Sequence, residues 1–125
     1  MSILFFVCII KLVITLTKQL RIGNKTIEVE ICNTFFQRLI GFMFQKKKIQ
    51  TGKCFPHCNS IHTFFMFQKI DLILCDHELK IISIYKNFSK NRILWPVRNA
   101  WYVFELPLGS IQNIQIEDQL KLEDF

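Results

Sequence analysis

Apolar and polar positions begin to alternate at Leu20 and Ile22, break at Gly23-Asn24, and resume with Ile27, Val29 and Ile31 between Glu28 and Glu30. A two-residue turn between period-2 runs predicts a β-hairpin. Beyond Asn33 and Thr34, either of which can cap a helix, Phe35, Phe36, Leu39, Ile40, Phe42 and Met43 recur at helical spacing with Arg38 on the other side. Residues 35–44 therefore read as a short amphipathic helix. Gly41 weakens such a helix by about 1 kcal/mol relative to Ala, so it marks the helix end or a close backbone approach. Lys46 to Lys48 read as a loop, as do residues 54–60 around Pro56.

Residues 61–66 and 70–75 are apolar runs of strand length, and Asp76-His77-Glu78 is a turn before a returning strand at 79–85. Residues 87–91 read as loop and 102–106 as a strand stopped by Pro107. Ser110 caps a helical turn through Ile114, and 119–122 form the last strand. Many short strands with little helix predict a mainly β fold, a small antiparallel β-sandwich or barrel-like domain with one or two short helices.

Residues 3–16 are apolar but interrupted by Lys11, and the stretch is shorter than the roughly 20 residues a spanning helix needs. It lacks a positive start and a small-x-small cleavage site, Val7 before Cys8 does not suit a lipoprotein box, and Lys18 and Arg21 follow it. Three readings stay open: a degenerate signal or membrane anchor, an extra element packed on the domain, or upstream sequence that contributes little. The expected organisation is an apolar segment at 1–16 and one β domain at 17–125. Cytoplasmic and membrane-anchored or exported locations both remain, any membrane association running through residues 3–16.

The chain has 125 residues, half of them apolar and 13 of them Phe, enough for one hydrophobic core and too few for two separate domains. A formal charge of +6 favours anionic partners in general. The lysines come without a recognition helix, stacking motif or zinc finger, which argues against nucleic acid and leaves a protein or an anionic ligand as partner. The five cysteines are an odd number without scaffold spacing; Cys32 and Cys75, set in apolar runs, are expected to be buried thiols.

Three segments carry a resemblance. Thr34, Arg38 and Gly41-Phe42-Met43 fit a T-x-x-x-R-x-x-G-L-M block, Ser60 to Met66 with Ile70-Asp71 an s-I-H-T-f-x-M…p-I-D block, and Glu105-Leu106-Pro107-x-Gly109 an E-L-P-A-G block. In that order they resemble the signature of the domain-of-unknown-function family 192 (DUF192) over roughly residues 20–123. The resemblance implies a small β-rich domain and brings no substrate, reaction or cofactor. Phe42 stands in place of Leu, Lys69 of Pro, Leu108 of Ala, and Glu117-Asp118 of Gly-Asp.

Two constellations could carry chemistry. Cys54-x-x-His57-Cys58-x-x-x-His62 offers soft and borderline metal donors, with Met66 next along the chain; Cys58, His62 and Met66 are the metal candidates, though no second ligand pair follows and no metal site is assigned. Arg38, His62, Asp71 and Glu105 are polar residues set among apolar ones. Either they form a buried network in which Arg38 pairs with Asp71 or Glu105, or they line a pocket where Arg38 binds an anionic group and His62 titrates. A Cys58–His62 nucleophile lacks an orienting group and an oxyanion turn, so no catalytic residue is assigned. Met43, Met66 and the Phe residues read as core filling, and an exposed Trp95 or Trp101 would mark a binding face. The leading expectation is a binding or accessory domain, an enzyme being the less favoured reading. A pocket protein or hydrolase-like enzyme acting through Arg38, His62 and Asp71 is the first alternative, and a metal-binding module using Cys58 and His62 the second.

Overall fold

A computed structural model describes residues 16–124. The apolar stretch at 3–16, with the signal, anchor and packed-element readings attached to it, lies outside the described residues except for Leu16. Among the described residues no helix is long and apolar enough to cross a membrane. The predicted hairpin forms from β1 (Leu16–Ile22) and β2 (Lys25–Ile31), with Ile22 paired to Lys25. Gly23 takes φ +58°, the left-handed conformation that tight hairpin turns require at a central position.

The helix is shorter than its apolar pattern: α1 covers Phe35–Ile40, opened by a capping box in which the Thr34 side chain accepts from the Gln37 backbone. Gly41 ends it at φ +47°, and residues 42–44 continue as turns. The remaining strands are β3 (Gly52–Pro56), β4 (Ile61–His62), β5 (Ile70–Cys75), β6 (Ile81–Phe88), β7 (Ile93–Leu94), β8 (Tyr102–Leu106) and β9 (Lys121–Glu123).

Seven strands form one sheet in the order β6-β5-β8-β3-β2-β1-β9, while β4 and β7 make a separate two-stranded ribbon. Every pairing is antiparallel except β2 with β3. A parallel neighbour needs a long crossover, and residues 32–51, which include α1 and the lysine loop, supply it. The sheet is curled into a half-barrel, and the C-terminal segment links its edges. β9 pairs with β1, while Ile81 donates to the Asp118 carbonyl and Leu120 to that of Leu79 at the far edge.

Three local expectations are corrected. Residues 52–56, partly read as loop, form β3: packed between β2 and β8 with Cys54 and Phe55 both buried, the segment has no solvent face and so no alternation. Only Ile61–His62 of 61–66 pairs as strand, because Thr63 bonds to a different loop, its hydroxyl donating to the Ser89 carbonyl and accepting from Arg92 N–H. The helical turn at 110–114 does not form; the Ser110 hydroxyl turns back to donate to the Pro107 carbonyl at 2.5 Å.

The pleat distributes side chains over two cores. On the enclosed face Leu20, Val29, Ile73, Phe104, Leu106 and Leu120 cluster; on the other Phe42, Phe55, Met66, Leu72, Leu74 and Val103 cluster beneath α1 and the ribbon. All six residues of β5 are buried, which is why the run 70–75 was legible as a strand. Gly52 is required by closeness rather than by its dihedral angle. A Cβ there would lie 2.8 Å from Leu106 Cδ2 and 2.9 Å from Val29 Cγ1, so β3 fits between its neighbours only without a side chain.

Candidate functional site

Register decides which polar residues can meet. Along β8, Val103 and Glu105 share the face covered by α1, whereas Phe104 and Leu106 belong to the enclosed core. In β5, Leu72 pairs with Glu105 and Asp71 with Leu106. Asp71 and Glu105 therefore lie on opposite faces of the sheet, and the four-residue constellation divides. Arg38, His62 and Glu105 line one cavity of about 260 Å³ between the end of α1, β3, β4 and β8. Asp71 does not reach it.

Asp71 is a fold-building residue. Buried to 2% exposure, its Oδ1 accepts from Asn87 N–H at 2.9 Å and its Oδ2 from Gly109 N–H at 3.0 Å and Ile111 N–H at 3.2 Å. The carboxylate thus ties the irregular part of β6 to the turn after Pro107, and three backbone donors satisfy it as a cation would. Gly109, at φ +87°, presents its N–H from a conformation other residues rarely adopt. The Ile70-Asp71 and Pro107-x-Gly109 motif elements are two halves of one lock.

The expected ion pair of Arg38 with Asp71 or Glu105 does not form. Arg38 is exposed at the cavity mouth and makes no ion pair among the described residues. The charge it was expected to balance is left differently placed. Glu105 is 4% exposed, and its Oε2 is buried without a hydrogen-bond partner among the described residues. Its cross-strand neighbour Lys53 instead holds Glu30 at 3.1 Å, with the ammonium 5.0 Å from the centre of the Phe42 ring. Burial pushes the Glu105 carboxyl up to about 8, the Lys53 charge opposing the rise.

Gly41 makes room for that carboxyl. A Cβ at Gly41 would lie 3.3 Å from Glu105 Oε2 and 3.5 Å from Phe55 Cζ, and the backbone there is in the left-handed half of φ. The close approach suggested by glycine inside an apolar helical pattern is real, and its partner is Glu105.

The metal candidates Cys58, His62 and Met66 all line the cavity. Two of their donor atoms are engaged locally: Cys58 Sγ donates to the Ser60 carbonyl at 3.0 Å, and His62 Nδ1 accepts from Phe64 N–H at 3.3 Å with its ring stacked on that of Phe64. Cys54 packs in the enclosed core and His57 against Trp101, so the four-residue Cys/His spacing does not converge. Among the described residues no three His, Cys, Asp or Glu side chains are grouped to hold a metal ion. Burial raises the Cys58 thiol as well as Cys32 and Cys54, the latter two to about 12, which keeps them protonated and weakly nucleophilic.

Sequence reasoning missed the cavity wall. Phe42, Phe55, Met43 and Met66 read as core filling, yet each also faces the cavity. Beyond it lies an aromatic surface in which Phe44 stacks on Phe65 at 5.5 Å and approaches Phe67 at 6.5 Å. Trp95 is 72% exposed, the sign named above for a binding face.

Comparison with known proteins agrees with this fold. The DUF192 model, described as an uncharacterized ACR, matches residues 18–123. A UPF0127 protein of Pyrococcus horikoshii is 33% identical over 102 residues, covering 78% of this chain and 88% of the relative. One of Thermococcus kodakarensis is 31% identical over 97 residues, covering 73% of this chain and 60% of the relative. Among solved structures, a Sinorhizobium meliloti protein proposed to be a transcription regulator superposes with TM-score 0.76 at 19% identity, covering 88% of this chain and 96% of that one. A protein of unknown function from Novosphingobium aromaticivorans superposes with TM-score 0.69 at 16% identity, covering 86% of this chain and 84% of that one. Those two likenesses concern the fold alone; the match over residues 18–123 establishes that the chain belongs to the DUF192 family.

Proposed function

We propose that the domain is a small-ligand binding module and that the cavity under the end of α1 is its working site. The observation that carries the reading is convergence. Residues from all three separated motif segments, Arg38 and Gly41, Ser60 and His62, and Glu105, line one cavity whose remaining wall is mostly apolar. A mainly apolar concavity with a few convergent polar groups, one of them a buried carboxyl pushed above its ordinary pKa, is the usual form of a ligand site. The buried thiols give no activated nucleophile, so binding is favoured over covalent catalysis.

Native mass spectrometry of the full chain, incubated with a small-molecule extract and freed of excess, tests this. A stoichiometric added mass is expected, weakened at least tenfold by His62→Ala. Arg38, exposed and in no ion pair among the described residues, should tolerate substitution by Ala within about 0.5 kcal/mol of stability. A mass retained equally by His62→Ala would place binding elsewhere and overturn the reading.

A further inference from the structure

We propose that the cavity recognises a primary ammonium group on a short apolar stem, its N–H groups donating to Glu105. The assignment rests on the ligand-binding reading above and adds the chemistry of the ligand. Its first support is the orphaned Oε2 of a 4% exposed carboxyl that lines an open cavity. An unsatisfied buried acceptor is costly, and a ligand that donates to it recovers that cost on binding.

The second support is the space kept over it. Gly41 lies where any Cβ would press within 3.3 Å of Oε2, so the helix end closes over the carboxyl without filling the cavity. The third is that, among the described residues, no protein cation pairs with Glu105, although the Lys53 charge is felt there. Lys53 on β3 is paired with Glu30 of β2, and Arg38 of α1 makes no ion pair among the described residues. The other titratable groups facing this region are the thiols of Cys32 and Cys58 and the ring of His62, none of which bonds to Glu105.

Once the carboxyl ionises, at about pH 8 and above, a neutral hydroxyl or amide would satisfy one lone pair yet leave the charge uncompensated, whereas an ammonium supplies donor and charge together. Phe42, Phe55, Met43 and Met66 supply the apolar wall that suits an alkyl stem. A volume of about 260 Å³ holds such a group, being worth roughly nine water molecules at about 30 Å³ each.

Proton balance follows from the burial of Glu105. Near neutrality its carboxyl holds a proton, and ammonium binding breaks only the O–H bond, passing that proton to the buffer and leaving the carboxylate paired. An alkylammonium, with an ordinary pKa of about 10.4, stays charged throughout. Affinity should therefore tighten by up to about tenfold per pH unit between pH 6 and 7.5 and level off above about 8.

The test is isothermal titration calorimetry of the full chain with n-butylammonium, n-butanol and n-butyrate, in buffers of different ionisation heat. The ammonium should bind at least tenfold more tightly than either analogue at pH 8, with close to one proton released per ligand at pH 6.5 and almost none at pH 9. Glu105→Gln should remove both the preference and the proton release, which separates Glu105 from His62. Should that variant fold poorly, the proton count and pH profile of the unmodified chain still decide. Equal or tighter binding of butanol or butyrate, or no ammonium binding, overturns the ammonium assignment. The ligand-binding reading does not fall with it, because the retained-mass experiment tests that reading without any assumed ligand.

Discussion

Asp71→Ala should destabilise the fold by about 3 kcal/mol, lowering the melting temperature by on the order of 10 °C. Three backbone donors, from Asn87, Gly109 and Ile111, converge on this carboxylate, which is 2% exposed. Alanine leaves all three without an acceptor in a site too closed for water to replace the oxygen atoms freely. Asp71→Asn should recover little, because its amide NH₂ must face either the Asn87 donor or the pair from Gly109 and Ile111. Urea denaturation monitored by circular dichroism measures the change. A loss below about 1 kcal/mol for Asp71→Ala would mean that the turn at 107–111 does not depend on this lock.

The second large effect is a pH dependence. Glu105 has an ordinary value of 4.5 and is held at about 8 by burial, so between those limits the folded chain binds one more proton than the unfolded chain. Stability from this group is fully present below about pH 4.5 and is lost as pH rises through about 8, at up to about 1.4 kcal/mol per unit. Discounted for the cavity beside the carboxyl, the total is on the order of a few kcal/mol. Glu105→Gln keeps the shape and removes the ionisation. Its melting temperature should gain on the unmodified chain steadily from pH 5 to pH 8.5, and parallel curves for the two would show that Glu105 ionises without hindrance.

Legibility followed the physics of each segment. The β1–β2 hairpin alternates and the β5 run is apolar throughout, so both could be read, as could β8 with its stop at Pro107. β3 could not, since its dependence on Gly52 and its parallel pairing with β2 are relations between distant segments. The Lys53–Glu30 pair was hidden for the same reason, appearing only once the register sets Glu30 opposite Lys53.

Arg38, His62 and Glu105 stood out as polar side chains among apolar ones, and the cavity brings them together. Asp71 stood out equally, but a shift of one residue between β5 and β8 partners sends it to the other face. Sequence alone signals that a polar residue sits in an apolar run. Whether it faces a cavity or backbone donors is decided by strand register. Gly41 is intermediate: its oddity was visible, its partner was not.

The most direct measurement is ¹³C-methyl methionine NMR. Of the three methionines, Met1, Met43 and Met66, the latter two line the cavity. On titration with n-butylammonium, both cavity methyl resonances should move together and saturate at one affinity, while the Trp95 and Trp101 indole signals stay still. Movement of the indoles with unchanged Met43 and Met66 methyls would place binding on the exposed aromatic surface and contradict a working site beneath α1.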